Sequence, residues 1–177
     1  INMLNIHFAE VLLEEAKLDQ AESILVHYQT SLTQYGILNM TLSGYLSLAR
    51  ISFLKNNGKA ALEYLDQAIQ IAKIRQWERL KWQCYQEKIR ILLLLNQKDK
   101  AMACAKHLAL SNQKFPEGLE YIGEEVKFLT LIRISIAFQD WERGIELIDQ
   151  ALSFCETKQR KATLIRILMM QLNVYYF

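Results

Sequence analysis

One stretch of this sequence occurs twice. Set without a gap, LARISFLKNNGKAALEYLDQAI (Leu48 to Ile69) and LIRISIAFQDWERGIELIDQAL (Leu131 to Leu152) agree at eight of 22 positions. The matches are Leu48/Leu131, Arg50/Arg133, Ile51/Ile134, Ser52/Ser135, Glu63/Glu146, Asp66/Asp149, Gln67/Gln150 and Ala68/Ala151. Two weaker copies keep the frame: FAEVLLEEAKLDQAESILVHYQ from Phe8 and KIRILLLLNQKDKAMACAKHLA from Lys88. The offsets between copies are 40, 40 and 43 residues, and a partial fifth copy, LIRILMM, starts at Leu164, 33 residues after Leu131. A unit of this length cannot bury its apolar face alone, so successive copies must stack.

Each copy reads as helix, tight polar loop, helix. In the second copy Leu42, Tyr45, Leu46, Ala49, Phe53 and Leu54 recur at three- and four-residue steps, the signature of one helical face. Ala61, Leu62, Leu65, Ala68, Ile69 and Ala72 make a second stripe. Between them Asn56-Asn57-Gly58 breaks the pattern, and Gly58 is the expected left-handed C-cap. Asp19 with Glu22 matches a capping box, and Asp99 and Asp140 are expected N-caps in later copies. Six Gly and a single Pro, Pro116, are too few punctuators for an all-β chain of 177 residues.

Closely crossing helices need small residues at the contact. Ala9 with Ala21 and Ala49 with Ala61 supply one in each helix of a pair. Ala101 and Gly144 supply the second member in later copies, where Ile89 and Ile132 replace the first. Ala68 and Ala151 add a third contact. The expected fold is therefore all-α: a right-handed superhelix of stacked antiparallel hairpins, about four and a half repeats in one domain over 1–177. The hairpins fall at about 2–36, 38–76, 77–114 and 116–158, with a lone helix over 159–177.

The Ala49, Ala61, Ala68 spacing, with Tyr45 ahead and Leu65 between, resembles a tetratricopeptide repeat. The period near 40 exceeds that family's ~34 and resembles the helical-repeat segment of MalT-type regulators, large ATP-dependent LuxR-family transcription activators of bacteria. The resemblance spans roughly Phe8 to Met170 and is best in the second and fourth copies. It implies a cytoplasmic parent with an upstream nucleotide-binding domain and a downstream DNA-binding helix-turn-helix. It also implies an effector that binds the repeat segment and relieves autoinhibition. The sequence shows no GxxxxGK[ST] phosphate loop and no basic recognition helix. It starts without Met and ends in LNVYYF, inside an apolar helix, so a piece of a longer protein is expected.

Arg50, Arg90, Arg133 and Arg166 share one frame position, each in an (Ala/Ile)-Arg-Ile context, with Glu10 in the first copy. In tetratricopeptide folds that side faces the groove. A ladder of guanidinium groups there can pair bidentately with the carboxylate or phosphate of an anionic ligand or acidic partner segment. Alternatively each arginine pairs with an acid on a neighbouring helix, such as Glu87 or Glu125, and orders the stack. One turn away, Leu46, Phe53, Gln86, Leu93, Leu129 and Ile136 would make the wall mostly apolar, suited to a small organic effector or an apolar helix.

Other chemistry is sparse. Net charge is +2, which gives no electrostatic reason for nucleic-acid or membrane-surface binding, and Lys158, Arg160 and Lys161 read as a solvated helix start. Cys84, Cys104 and Cys155 lack metal-ligand spacing and read as reduced, mostly buried thiols. His7, His27 and His107 share no motif; His107 and Cys104 lie one turn apart without a supporting partner. Glu14-Glu15 and Glu124-Glu125 are neighbours pointing to different sides of a helix, a poor arrangement for acid/base work. Trp77, Trp82, Tyr85 and Trp141 read as packing between hairpins rather than a ring-stacking platform. No run is long enough for a membrane span. The expectation is a non-enzyme without cofactor that binds a small effector or an acidic or apolar polypeptide segment. It would also contact other domains of its parent, and self-associate through the apolar C-terminal helix. A general interaction scaffold without a small ligand is the alternative.

Overall fold

The computed structural model describes residues 3–106, 108, 122–157 and 161–176. They form α1 (Met3–Glu14), α2 (Leu18–Tyr35), α3 (Leu38–Leu54), α4 (Gly58–Ile74), α5 (Glu78–Leu94), α6 (Lys98–Lys106), α7 (Ile122–Ala137), α8 (Trp141–Thr157) and α9 (Lys161–Tyr176). Among the described residues there is no strand. The chain is all-helical, and successive helices pack on one another as the repeat requires: α1 on α2, α2 on α3, α3 on α4, α7 on α8 and α8 on α9. It divides into two compact units, Ile1–Ile91 and Leu92–Phe177.

The loops carry the repeat in their backbone. Ala16, Asn56, Asn96 and Gln139 all have positive φ, between 56° and 60°. Their spacings are 40, 40 and 43 residues, the offsets of the sequence copies. At each, the next amide donates to a carbonyl five residues back: Lys17 to Leu12 at 2.8 Å, Asn57 to Ser52 at 2.8 Å, Gln97 to Leu92 at 2.8 Å, and Asp140 to Ser135 at 2.9 Å. This is the Schellman closure of a helix C-terminus. Gln76, also at positive φ, ends α4 in the same way through Trp77 and Ala72.

The left-handed residue in the second copy is therefore Asn56. Gly58 instead opens α4, and no described glycine has positive φ. The closure needs its left-handed residue directly after the last helical turn, two positions ahead of the glycine, and asparagine tolerates that conformation. Asn57 then caps α4, its side chain accepting from the Ala60 N–H at 3.0 Å. Asp140 caps α8 through the Arg143 N–H at 3.4 Å, as its position implies. Asp19 and Asp99 do not cap. Helix α2 starts at Leu18 after Lys17, and α6 starts at Lys98. Each acid thus lies in the first turn, where the helix dipole favours negative charge. Asp19 pairs instead with Lys55 at 2.5 Å, beside Glu22 at 2.6 Å.

The small residues are at the crossings. Ala9, Ala21, Ala49, Ala61, Ala68 and Ala101 are fully buried, and Ala151 nearly so. A Cβ placed on Gly144 would lie 3.8 Å from the Ser135 Cβ, so the second helix of that hairpin closes directly over Ser135 on the first. Around these contacts Ile6, Leu25, Leu32, Tyr45, Leu48, Ile51 and Leu65 fill the first unit, and Ile132, Ile148, Cys155 and Ile167 the second.

The junction between hairpins in the first unit is held differently. Gly36 follows α2 in an extended conformation (φ −61°, ψ 139°), and a side chain there would collide with the Leu32 carbonyl oxygen. The Arg75 guanidinium donates to the carbonyls of Gly36, Thr33 (2.9 Å) and Gln34 (2.7 Å). It satisfies carbonyls left open at the end of α2 and lies 4.8 Å from the Trp77 ring.

Candidate functional site

The shared arginine position is best defined in the first unit, where α3 carries Arg50 and α5 carries Arg90. Both converge on Glu87. Arg90 donates through Nε at 2.9 Å and Nη2 at 2.7 Å, and Arg50 through Nε at 3.4 Å. The Glu87 side chain is 11% exposed, whereas the Arg90 side chain is 32% and the Arg50 side chain 49% exposed. The hydrogen bonds it donates to Glu87 raise the Arg90 pKa above its usual value, against the opposing effect of burial. Arg90 also lies over the Phe53 ring at 5.8 Å.

Two guanidinium groups share the Glu87 carboxylate, which has a further interaction of its own. Arg90 is held by two short charge-assisted bonds. Arg50 makes one longer bond and exposes about half of its side chain. The alternative in which an acid on a neighbouring helix takes up the arginine thus holds for Arg50, through Glu87, whereas Arg90 pairs with Glu87 three residues away on its own helix.

The other members of the expected ladder belong to the second unit. Arg133 is half-buried and has an interaction of its own, and Arg166 is exposed. The expected wall residues Leu46, Phe53, Gln86, Leu93 and Ile136 are half-buried. Leu129 is not on a wall. It is 2% exposed and lines a small apolar void of ≈ 10 Å³ with Phe128, Ala151, Phe154, Cys155, Thr163 and Ile167. The neighbours α8 and α9 pack on α7 and enclose this residue, whereas its counterpart Leu46 stays half-exposed.

A row missed in the sequence lies three residues before the arginines. Ser47, Glu87, Thr130 and Thr163 share that frame position and all are buried. The signal was present as a polar residue inside an apolar stripe, repeated at the spacing of the copies. Buried polar groups require partners, and in the second of these positions the partners are the ladder arginines.

Ion pairs also join a hairpin to the next helix. Lys55 at the end of α3 reaches Asp19 and Glu22 of α2, and Lys88 of α5 reaches Asp66 of α4. Hydrogen bonding to Asp19, then to Glu22, raises the Lys55 pKa.

Cys84 and Cys155 are buried and Cys104 is partly exposed. Burial, with Glu87 nearby, pushes the Cys84 thiol up to about 12, which keeps it protonated and unreactive at neutral pH. His7 pairs with Glu10 at 2.8 Å on the surface, and His27 meets Tyr28 edge-on. Tyr85 is buried, and Trp77, Trp82 and Trp141 are half-buried. Among the described residues no group of three His, Cys, Asp or Glu side chains is arranged to hold a metal ion. No helix among them is long and apolar enough to cross a membrane. His107, Pro116, Lys158 and Arg160, and the side chains of Glu124, Glu125, Val174 and Tyr175, lie outside the described residues.

No protein-family model matches the chain, and no curated protein or solved structure is significantly similar to it.

Proposed function

We propose that this chain is a non-catalytic sensing and interaction domain of helical repeats, whose first-helix face receives the carboxylate of an effector or acidic polypeptide segment. The observation that carries the reading is the Arg50–Glu87–Arg90 cluster beside Phe53. Its half-exposed Arg50, held by one long bond, offers a place for a further carboxylate, with an aromatic and Leu46 nearby for an apolar body.

The cluster also supplies a route to sensing. Glu87 bridges α3 and α5, so an incoming anion competes with it for Arg50 and alters what holds those helices together. A ligand that favours one arrangement over the other shifts the equilibrium between them by its difference in affinity. The loop spacing of 40, 40 and 43 residues matches the period on which the resemblance to MalT-type bacterial regulators rests. In that setting the domain is cytoplasmic, works without a cofactor and passes the change to other domains of its parent.

Thermal-shift and calorimetric screens with carboxylate metabolites and acidic peptides test this. A hit should lose most of its affinity in Arg50→Ala and gain affinity in Glu87→Gln, where the internal competitor is weakened. Ligands that bind both variants like the parent would overturn the assignment. An apolar peptide that binds regardless of Arg50 would favour the scaffold reading, to which the half-buried Leu46 and Phe53 lend support.

A further inference from the structure

In a repeat, a residue that serves the stack recurs from copy to copy, and one that departs from the frame is free for another role. Three such departures fall at the Arg50–Glu87–Arg90 cluster. Glu87 is an acid at a position held by His7, Ser47 and Thr130 in the other complete copies. Gln86 beside it replaces Ile6, Leu46 and Leu129, and Phe53 is an aromatic where Leu13, Leu93 and Ile136 stand. The fold joins two of the three to the arginines: Glu87 accepts from both, and the Phe53 ring lies 5.8 Å from the Arg90 guanidinium.

The same face carries an unmet acceptor. Gln83 lies one helical turn before Glu87 on α5, and its Oε1 is buried with no hydrogen-bond partner among the described residues. A buried carbonyl oxygen without a donor is costly and rare in a folded protein. The residue as a whole is half-buried, so rotation of its side chain brings that oxygen to the surface.

A plain carboxylate that takes Arg50 leaves Glu87 short of a partner. The Glu87 side chain is 11% exposed, and its Oε1 accepts from Arg50 at 3.4 Å and from Arg90 at 2.7 Å. A ligand with a cationic N–H donor next to its carboxylate removes that penalty. Its ammonium replaces Arg50 on Oε1, while Arg90 keeps both of its bonds. An ammonium has further hydrogens to donate, and Gln83 Oε1 is one turn away to accept one. Such a ligand is zwitterionic, so the exchange adds no net charge to the cluster.

We propose that the ligand of this face is a free α-amino acid with an apolar side chain. Its carboxylate pairs with Arg50, its ammonium with Glu87 and Gln83, and its side chain lies against Phe53 and Leu46. The proposal rests on the carboxylate reading above and adds the ammonium to it.

Isothermal titration calorimetry of the full chain tests it, with L-leucine and L-phenylalanine against their deaminated analogues isocaproate and hydrocinnamate. At least one amino acid should bind about tenfold or more tightly than its analogue. The N-acetyl amino acid, which keeps an N–H but not the charge, should bind as weakly as the analogue. Arg50→Ala should remove most of the affinity for all of them. Gln83→Leu should weaken the amino acid severalfold and leave the analogue unaltered, with the far-UV circular dichroism of the chain unchanged. Glu87→Gln separates the two claims most sharply: a plain carboxylate loses a competitor and gains affinity, whereas the amino acid loses a partner and weakens. An analogue that binds as tightly as its amino acid and still needs Arg50 overturns the proposal and leaves the carboxylate reading standing. If neither amino acid binds, the proposal falls, and other carboxylates still decide that reading. Amino-acid binding indifferent to Arg50→Ala overturns both.

Discussion

The tetrapeptide Leu-Ile-Arg-Ile occurs in α7 (Leu131 to Ile134) and again in α9 (Leu164 to Ile167). In α7 the three aliphatic residues are 6%, 0% and 9% exposed. In α9 Ile167 is 1% exposed, Leu164 is half-buried and Ile165 is 60% exposed. Identical local sequence gives a helix in both places, since the residues that set helicity are the same. What differs is the company. Helix α7 has α8 closed over it at Gly144, whereas the described structure leaves that face of α9 exposed. The energetic worth of an apolar residue in this architecture therefore belongs to the crossing, not to the residue.

The sharpest way to break that comparison is to truncate the same residue in both helices. Ile132→Ala removes a fully enclosed side chain and should cost about 2–4 kcal/mol, the transfer term plus the cavity left behind. Ile165→Ala trims a side chain already in water and should change stability by no more than about 0.5 kcal/mol. Urea denaturation followed by circular dichroism measures both. Similar losses at the two positions would mean that α9 is covered in solution and that the contrast fails.

A second contrast sets the shared arginine position in the first unit against the same position on α9. Glu87→Ala should destabilise by about 1–3 kcal/mol, because Arg90, two-thirds buried, loses a partner that binds it twice. Arg50→Ala, at a 3.4 Å bond and half exposed, and Arg166→Ala, exposed on α9, should each lie within about 0.5 kcal/mol. An equal cost for Glu87→Ala and Arg166→Ala would show that the cluster contributes no more than an ordinary surface charge.

These contrasts mark how far the sequence could be read. Helices, their pairing and the small residues at the crossings were legible because each depends on periodicity within one or two copies. Asp140 as a cap was legible for the same reason. The left-handed residue was misplaced onto Gly58 because glycine is the usual choice, while the position is fixed by hydrogen bonding to the turn before it and falls on Asn56. Asp19 and Asp99 look like caps, yet each helix begins one residue earlier, a shift that composition does not reveal. The arginines were legible as a row, but whether Arg50 meets a ligand or Glu87 depends on how α5 lies against α3. Leu129 fails likewise: its letter matches Leu46, and only the packing of α8 and α9 around it makes it core.

The smallest expected effect concerns the one feature that all four complete loops share, a left-handed residue that is never glycine. Asn56 and Asn96 suit it, since asparagine visits that region readily, and Gln139 is less suited. Ala16 at φ 58° is the least suited, having neither Gly's freedom nor a polar side chain to bond the local backbone. Left-handed geometry costs an L-residue of this kind roughly 1–2 kcal/mol, and the greater chain entropy of unfolded glycine offsets about 0.5–1 kcal/mol of any relief. Ala16→Gly should therefore stabilise the chain by about 0.5–1 kcal/mol, while Asn56→Gly should be near neutral. The order of the two in thermal unfolding is the test. If Asn56→Gly were the more stabilising, the loops would not be equivalent closures of one repeated backbone, and their common spacing would need another cause.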